Sequence, residues 1–398
     1  MKNGIKHLAY LIRDAEPGAQ FVFEFWDGET LQFGDHPEVK LRLKSEECAG
    51  RLLDRGFLGF GEAYASGDLE VEGDLQELLR LGIAARFDHV RPSFWKMLRL
   101  LPGHLRSRSS VRRAPRNISH HYDRGNDFYA LYLDETMTYS CAYFKTCDDS
   151  LEQAQLNKYD HIARKLMLSP GESLLDVGCG WGGMLIHAAR KYGVKGLGNT
   201  ISPQQYEYAN RKIEELGLRG QIQVVLQDYR NLSGKFDKLV SIGMFEHVGK
   251  EYIPGFMRKA RELLKKGGLG LLHTIGKEAE SPHDLWIMRY IFPGAYLPNL
   301  PEISYHMGKE GLSILDVENL RLHYARTLDL WARNFEKNIE KVREIVDETF
   351  VRTWRLYLHA SSAGFKYAET RLYQILFSNG LNNQLPMTRD LFHAVPSP

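Results

Sequence analysis

The chain has 398 residues, more than one ordinary hydrophobic core accommodates, which implies two domains. A net charge of +2 with 26% charged residues describes a globular protein and gives no global bias toward nucleic acid, so any electrostatic signal must be local. The four cysteines, Cys48, Cys141, Cys147 and Cys179, form no CxxC pair; this argues against a zinc knot or a disulfide framework, and free thiols point to a reducing cytoplasm.

Residues 1–20 carry Asp14 and Glu16 and no long apolar stretch, so no signal peptide is expected. No apolar run approaches the roughly 20 residues of a membrane-spanning helix. Residues 1–100 read as a small N-terminal domain, a candidate for lipid binding or for orienting a dimer. Phe21, Phe23 and Phe25 alternate within Gln20–Phe25 as in a strand, and Lys40–Leu43 suggests another. Phe57–Ala65 and Leu75–Ala85 read as helices on either side of a turn-rich Ser66–Asp74.

Eight basic residues follow without an acid among them: Arg91, Lys96, Arg99, Arg106, Arg108, Arg112, Arg113 and Arg116. Phe94, Trp95, Met97, Leu98, Leu100 and Leu101 are interleaved in the first half, and Pro102-Gly103 breaks the pattern. One reading of this stretch is a solvated linker, set at residues 101–116; the other is a basic amphipathic contact with anionic lipid.

From Ser150 strands and helices alternate. Strands are expected at Glu172–Val177, Val194–Thr200, Gln221–Gln227, Lys235–Ile242 and Leu269–Thr274, and helices at Gly183–Tyr192, Ser202–Leu216 and Ile253–Leu264. Ser202 suits an N-cap, Pro203 the first helical position and Gln205 the far side of a capping box. Such alternation implies an α/β fold with a parallel, doubly wound sheet. The aromatic and proline-rich Ser281–Ser304 looks like a lid or insertion within a catalytic domain spanning 117–398. Trp331, Phe335, Ile339, Val342, Val346, Phe350 and Trp354 recur at steps of three and four, the core-packing stripe of one long helix.

The strongest motif is Leu174-Leu175-Asp176-Val177-Gly178-Cys179-Gly180-Trp181-Gly182-Gly183. An apolar strand ends in Asp176 and enters a glycine-rich turn that opens a helix, and in open α/β sheets ligands bind beyond such strand ends. Gly178, Gly180 and Gly183 also fit GxGxxG, the dinucleotide fingerprint. Against that reading, the second strand ends in Asn199-Thr200 where a ribose-binding acid would stand, and Asp228 follows the third strand. There a carboxylate can accept from an adenine amino group, as methyltransferases of this fold arrange it. Strand four leads into Phe245-Glu246-His247-Val248 and strand five into His273-Thr274-Ile275-Gly276, so Glu246 and His273 are site candidates; His273 is equally readable as a satisfied core histidine.

These stretches, with His120-His121-Tyr122-Asp123, Met137-Thr138-Tyr139-Ser140-Cys141-Ala142-Tyr143-Phe144, Tyr290-Ile291-Phe292-Pro293-Gly294 and Tyr324-Ala325-Arg326-Thr327-Leu328, resemble the cyclopropane-fatty-acyl-phospholipid synthases and their mycolic-acid relatives. Order and spacing agree from about residue 117 onward, and more loosely in Leu69–Leu75. The resemblance implies a class I S-adenosylmethionine-dependent methyltransferase fold, Rossmann-like, with a smaller N-terminal domain. It carries cofactor contacts to Tyr139, Ser140, Gly178, Gly180, Thr200, Gln205, Asp228, Ile242 and Gly243, beside Asp176 of the glycine motif. It also implies a bound bicarbonate held by Cys141, Glu246, His273, the amide of Ile275 and Tyr324, and no metal. The implied substrate is the cis double bond of an unsaturated phospholipid acyl chain. Attack on the sulfonium methyl leaves a carbocation, and a base must remove a proton before the ring closes. The faces of Tyr290, Phe292, Tyr296 and Tyr305 are candidates to stabilise that cation. The implied protein is a cytoplasmic homodimer that visits the inner membrane surface transiently. Three alternatives stay open: a lipid C-methyltransferase leaving a methyl or methylene branch, a small-amine N-methyltransferase, and a non-catalytic lipid-binding protein.

Overall fold

The computed structural model describes residues 1–87 and 125–393. The basic stretch 91–116 and His120–Asp123 lie outside the described residues. Two compact units emerge; among described residues the first comprises 1–87, 282–293 and 328–369, and the second 125–281, 294–327 and 370–393. This differs from a continuous catalytic domain over 117–398, because residues distant in sequence complete the first unit. The stretch expected as one insertion, 281–304, is divided between the units: Trp286 is buried in the first, its ring 6.0 Å from Phe57.

The first unit holds a four-stranded sheet of β1 (Phe21–Glu24), β2 (Thr30–Phe33), β3 (Val39–Leu43) and β4 (Leu69–Gly73), in the order β2-β1-β3-β4. Phe21, Phe23, Val39, Leu41 and Leu43 are buried, as their alternation requires. Strand β4 falls where the sequence suggested turns. Its acidic residues mask the strand pattern, yet they are what pairs it: Glu70 and Glu72 stand opposite Arg42 and Lys40 in the antiparallel register, with ion pairs of 3.3 Å and 3.1 Å. The helix expected at Phe57–Ala65 is the second half of Glu46–Ser66, which Gly56 breaks with φ 54° and ψ −134°.

The apolar stripe from Trp331 to Trp354 is not one helix but parts of three, Arg321–Lys337, Ile339–Ile345 and Glu348–Tyr367. Val346 turns extended, and the Asp347 side chain then accepts from Phe350 N at 2.7 Å, capping a new helix. Trp331, Phe335, Val342 and Trp354 are nevertheless buried, because side-chain burial follows the surroundings rather than helix continuity.

The second unit is built on β5 (Ser173–Val177), β6 (Lys195–Thr200), β7 (Ile222–Leu226), β8 (Phe236–Ile242), β9 (Leu264–Lys277), β10 (Leu312–Asn319) and β11 (Thr370–Asn379). Their order is β10-β11-β9-β8-β5-β6-β7. Strands β5 to β9 are parallel, as expected; β11 and β10 extend the sheet antiparallel beyond β9. The order reverses between β5 and β8, so a crevice opens beyond their carboxyl ends. Helices Gly183–Tyr192, Pro203–Glu215 and Ile253–Leu263 follow β5, β6 and β8 as the alternation predicted. Among the described residues no helix is long and apolar enough to cross a membrane.

Candidate active site

Strand β5 delivers Asp176 and then a loop with three left-handed glycines: Gly178 at φ 79°, Gly180 at 56° and Gly182 at 86°. At Gly178 a Cβ would meet Met244 Cγ at 2.5 Å, and at Gly183 one would meet the Tyr159 hydroxyl at 2.3 Å. At Gly180 a Cβ would meet nothing within 4 Å. The loop thus packs closely on the protein at two glycines and faces open space at the third. Asn199, at the position where a ribose acid was missing, ties strand ends together: it accepts from Gly178 N at 3.3 Å and donates to Gln227 O at 3.0 Å.

The helix after β6 starts as expected in one half of its capping box only. Ser202 accepts from Gln205 N at 3.4 Å. The Gln205 side chain does not return to the Ser202 amide; it accepts from Thr200 Oγ1 at 2.7 Å, and the Ser202 amide donates to that same Thr200 oxygen at 3.1 Å. Gln205 and Thr200 are therefore joined at the crevice. Asp228 accepts from Arg230 Nε at 2.8 Å and from its amide at 2.9 Å. Burial would raise this carboxyl, but the Arg230 donors outweigh it and hold it below its ordinary value.

Tyr139, Ser140, Asp176, Gly178, Gly180, Thr200, Gln205, Asp228, Ile242 and Gly243 all line one cavity at this switch point. Lys158, Trp181, Arg230 and His247 also line it, and sequence reasoning did not single them out. Trp181 carries a hint in its place within the glycine loop; it donates to Asn126 Oδ1 at 2.8 Å and packs on Tyr129, which packs in turn on Tyr139. Lys158 has no such sign, because it sits in a helix of polar residues that reads as solvated. Burial pushes Asp176 up to about 7, against the opposing charge of Lys158, and pushes Lys158 down to about 7. His247 is lowered to about 4 by burial.

The second group of candidates lies next to this cavity and does not line it. Glu246 Oε1 accepts from the Ile275 amide at 2.6 Å, while its Oε2 is buried without a partner. That amide is thus engaged by Glu246. Burial raises Glu246 to about 7 despite this bond. His273 pairs with Ile242 across β8 and β9, and its carbonyl accepts from Gly243 N at 2.9 Å, which fastens the group to the cavity wall. Its ring is 1% exposed; Nδ1 lies 3.2 Å from Gln374 Nε2, and Nε2 has no partner. Burial drives His273 well below the ordinary imidazole value, so the ring is neutral. Gln374 thus occupies Nδ1 and leaves Nε2 as the unpartnered ring nitrogen. The buried Cys141 thiol donates to Ala142 O at 3.2 Å, and burial raises it far above the ordinary thiol range, which removes it as a nucleophile. Tyr324 is nearly buried on the helix Arg321–Lys337, its amide donating to Leu320 O at 3.1 Å. Among the aromatic candidates, Tyr305 is 59% exposed and cannot exclude water; the Tyr296 amide donates to Glu246 O at 2.9 Å, and Tyr290 and Phe292 belong to the first unit. The aromatic rings that line the cavity are Tyr139, Tyr159, Trp181, Tyr229 and Tyr252. Among the described residues no group of His, Cys, Asp and Glu could hold a metal ion.

Residues 109–375 match the family model for mycolic acid cyclopropane synthetase, and residues 15–91 match a domain of unknown function, DUF7884. The chain is 38% identical over 379 residues to a probable fatty acid methyltransferase of Pseudomonas putida, covering 92% of this chain and 94% of that protein. It is 36% identical over 353 residues to the cyclopropane-fatty-acyl-phospholipid synthase of Escherichia coli strain K12, covering 88% and 90%. Among solved structures it resembles the cyclopropane synthase MmaA2 from Mycobacterium tuberculosis, with TM-score 0.64, 33% identity and coverage of 66% of this chain and 98% of that one. The cyclopropane synthase CmaA1, solved with S-adenosylhomocysteine (SAH) and CTAB, gives TM-score 0.63 at 34% identity, again over 66% and 98%. The glycine loop at the switch point, the linked Thr200–Gln205 pair and Asp228 are thus set in a fold and sequence shared with lipid-alkylating enzymes, and the chain belongs to the mycolic acid cyclopropane synthetase family of S-adenosylmethionine-dependent methyltransferases.

Proposed function

We propose that the chain is a cyclopropane-fatty-acyl-phospholipid synthase, moving a methylene from S-adenosylmethionine to the cis double bond of an unsaturated phospholipid acyl chain. The observation that carries this reading is the buried Glu246–Ile275–His273 group fastened to the wall of the cofactor cavity. A simple methyl transfer to an amine needs no such group, whereas ring closure requires a proton to leave the newly attached carbon in a dry site.

The residues suit a small oxyanion as that base. His273 Nε2 and Glu246 Oε2 are buried and unpartnered; Nε2 can donate when it carries the ring proton, and a Glu246 raised to about 7 can be protonated and donate. Bicarbonate would be held by these two groups with Tyr324, beside Cys141, and when bound it would supply an oxygen base of modest strength. The Ile275 amide then acts indirectly, by orienting Glu246. Aromatic rings of the cavity lining, Tyr139 and Trp181 among them, would stabilise positive charge on the alkylated chain, and the neutral His273 adds no opposing charge.

The substrate bond lies within hydrocarbon, so the protein would act from the inner membrane surface in the cytoplasm, as a homodimer, with the basic stretch 91–116 as its docking segment. A second reading, lipid C-methylation without ring closure, is favoured by the 38% identity to the Pseudomonas putida protein. The test is incubation with unsaturated phospholipid vesicles and methyl-labelled S-adenosylmethionine, followed by fatty-acid analysis. Cyclopropane protons in the product support the proposal. A methyl or methylene branch installs the second reading, and no labelled lipid rejects both.

A further inference from the structure

Two lysines two turns apart on the helix Leu151–Lys165 are each 1% exposed, and they differ in one respect. Lys165 is paired with Glu318 at 2.6 Å and Asp316 at 3.3 Å. Lys158 makes no ion pair among the described residues; its Nζ donates to Ser140 Oγ at 2.9 Å and stands 4.5 Å from the centre of the Tyr159 ring. A buried ammonium without a close carboxylate is costly, so such a group either gives up its proton or takes a counter-ion from elsewhere. Asp134, the carboxylate that acts most strongly on Lys158 from a distance, accepts instead from the Thr136 and Thr138 amides at 2.9 Å and 3.0 Å. Asp176 is 2% exposed and also lines the cavity, but it is not within ion-pair distance of Lys158. The cavity therefore presents one buried basic group and one buried acidic group, held apart, at the end formed by Ser140 and the glycine loop. That is the complement of an amino-acid zwitterion.

We propose that Lys158 is the counter-ion of the carboxylate in the methionine moiety of S-adenosylmethionine, with Asp176 facing the ammonium of the same moiety. The inference rests on the assignment of this cavity to that cofactor. Ser140 then serves to aim the Lys158 ammonium. The groups acting on Lys158 are Asp134, Cys141 and Asp176, with burial as the dominant influence; a ligand carboxylate adds the close anion that none of them supplies.

The test uses isothermal titration of the full chain with SAH and with its decarboxylated analogue, 5′-deoxy-5′-(3-aminopropylthio)adenosine. Both carry the ammonium, so the difference isolates the carboxylate. The parent should bind SAH about ten- to a hundredfold more tightly, the range of one charged hydrogen-bonded contact, and Lys158→Met should bind the two alike. Should Lys158→Met fail to fold, the parent alone still decides. At pH 8, titration in buffers of different ionisation enthalpy should show more proton uptake with SAH than with the analogue, because the carboxylate recharges Lys158. Equal binding and equal proton uptake of both ligands by the parent would overturn the inference while leaving the cavity assignment standing. So would a variant that loses both ligands equally, which would make Lys158 a buttress for Ser140. Failure of both ligands to bind the parent would remove the cavity assignment itself, and the inference with it.

Discussion

Gly180 and Gly217 form a matched pair for separating backbone strain from ligand exclusion. Their φ angles are 56° and 68°, and at each a Cβ would meet nothing within 4 Å. Gly180 lines the cavity, whereas Gly217 lies on the surface after the helix Pro203–Glu215. Valine at either position carries the left-handed penalty of about 1–2 kcal/mol and no direct clash at Cβ. Differential scanning of the ligand-free variants should therefore show similar, modest losses. Only Gly180→Val places two methyl groups in the cavity proposed for the cofactor. An overpacking cost of about 1–3 kcal/mol corresponds to an affinity loss on the order of ten- to a hundredfold. Titration with SAH should show that loss for Gly180→Val and parental affinity for Gly217→Val. Parental affinity in Gly180→Val, or equal losses in both variants, would refute the placement of the methionine moiety over the glycine loop.

Glu246→Gln should cut turnover by about a hundredfold or more while leaving SAH affinity near the parent's, as read by steady-state kinetics and titration. The same variant tests the buried carboxyl: between its ordinary value of 4.5 and about 7 the folded protein holds a proton that the unfolded chain has released. The parent thus loses up to about 3 kcal/mol as pH rises through that window. Glu246→Gln should gain on the parent in thermal melts at pH 8 relative to pH 5, and a pH-independent difference would contradict the raised value. In the first unit, a Cβ at Gly61 would meet Trp286 Nε1 at 2.3 Å, so Gly61→Ala should destabilise by about 1–3 kcal/mol, seen as a lower melting midpoint with unchanged SAH affinity. Replacing Arg108, Arg112 and Arg113 together by Gln should weaken sedimentation with anionic vesicles, most at low salt, since each cation near such a surface contributes about 1 kcal/mol; parental sedimentation would leave the stretch a linker.

Features whose physics is local were legible in the amino-acid order. Strand, glycine turn and helix follow one another within Leu174–Tyr192, Ser202-Pro203 starts the next helix, and Asp228 follows β7, so much of the cavity lining sat at recognisable strand ends. Tertiary structure decided what depends on contacts between distant segments. Strand β11 brings Gln374 beside His273, a pairing across 101 residues that occupies Nδ1 and leaves Nε2 unpartnered. The helix Leu151–Lys165 looks solvated by composition but buries Gln155, Asn157, Lys158, His161 and Lys165, because Ser140, Asp149 and Glu318, outside the helix, each bond to one or more of them. The same cause let acidic β4 form a strand and let residues 328–369 join the N-terminal unit. Periodicity reports which side chains share a face; what that face meets, and whether a charge on it finds a counter-ion in the chain or awaits one in a ligand, is set only once the chain has folded.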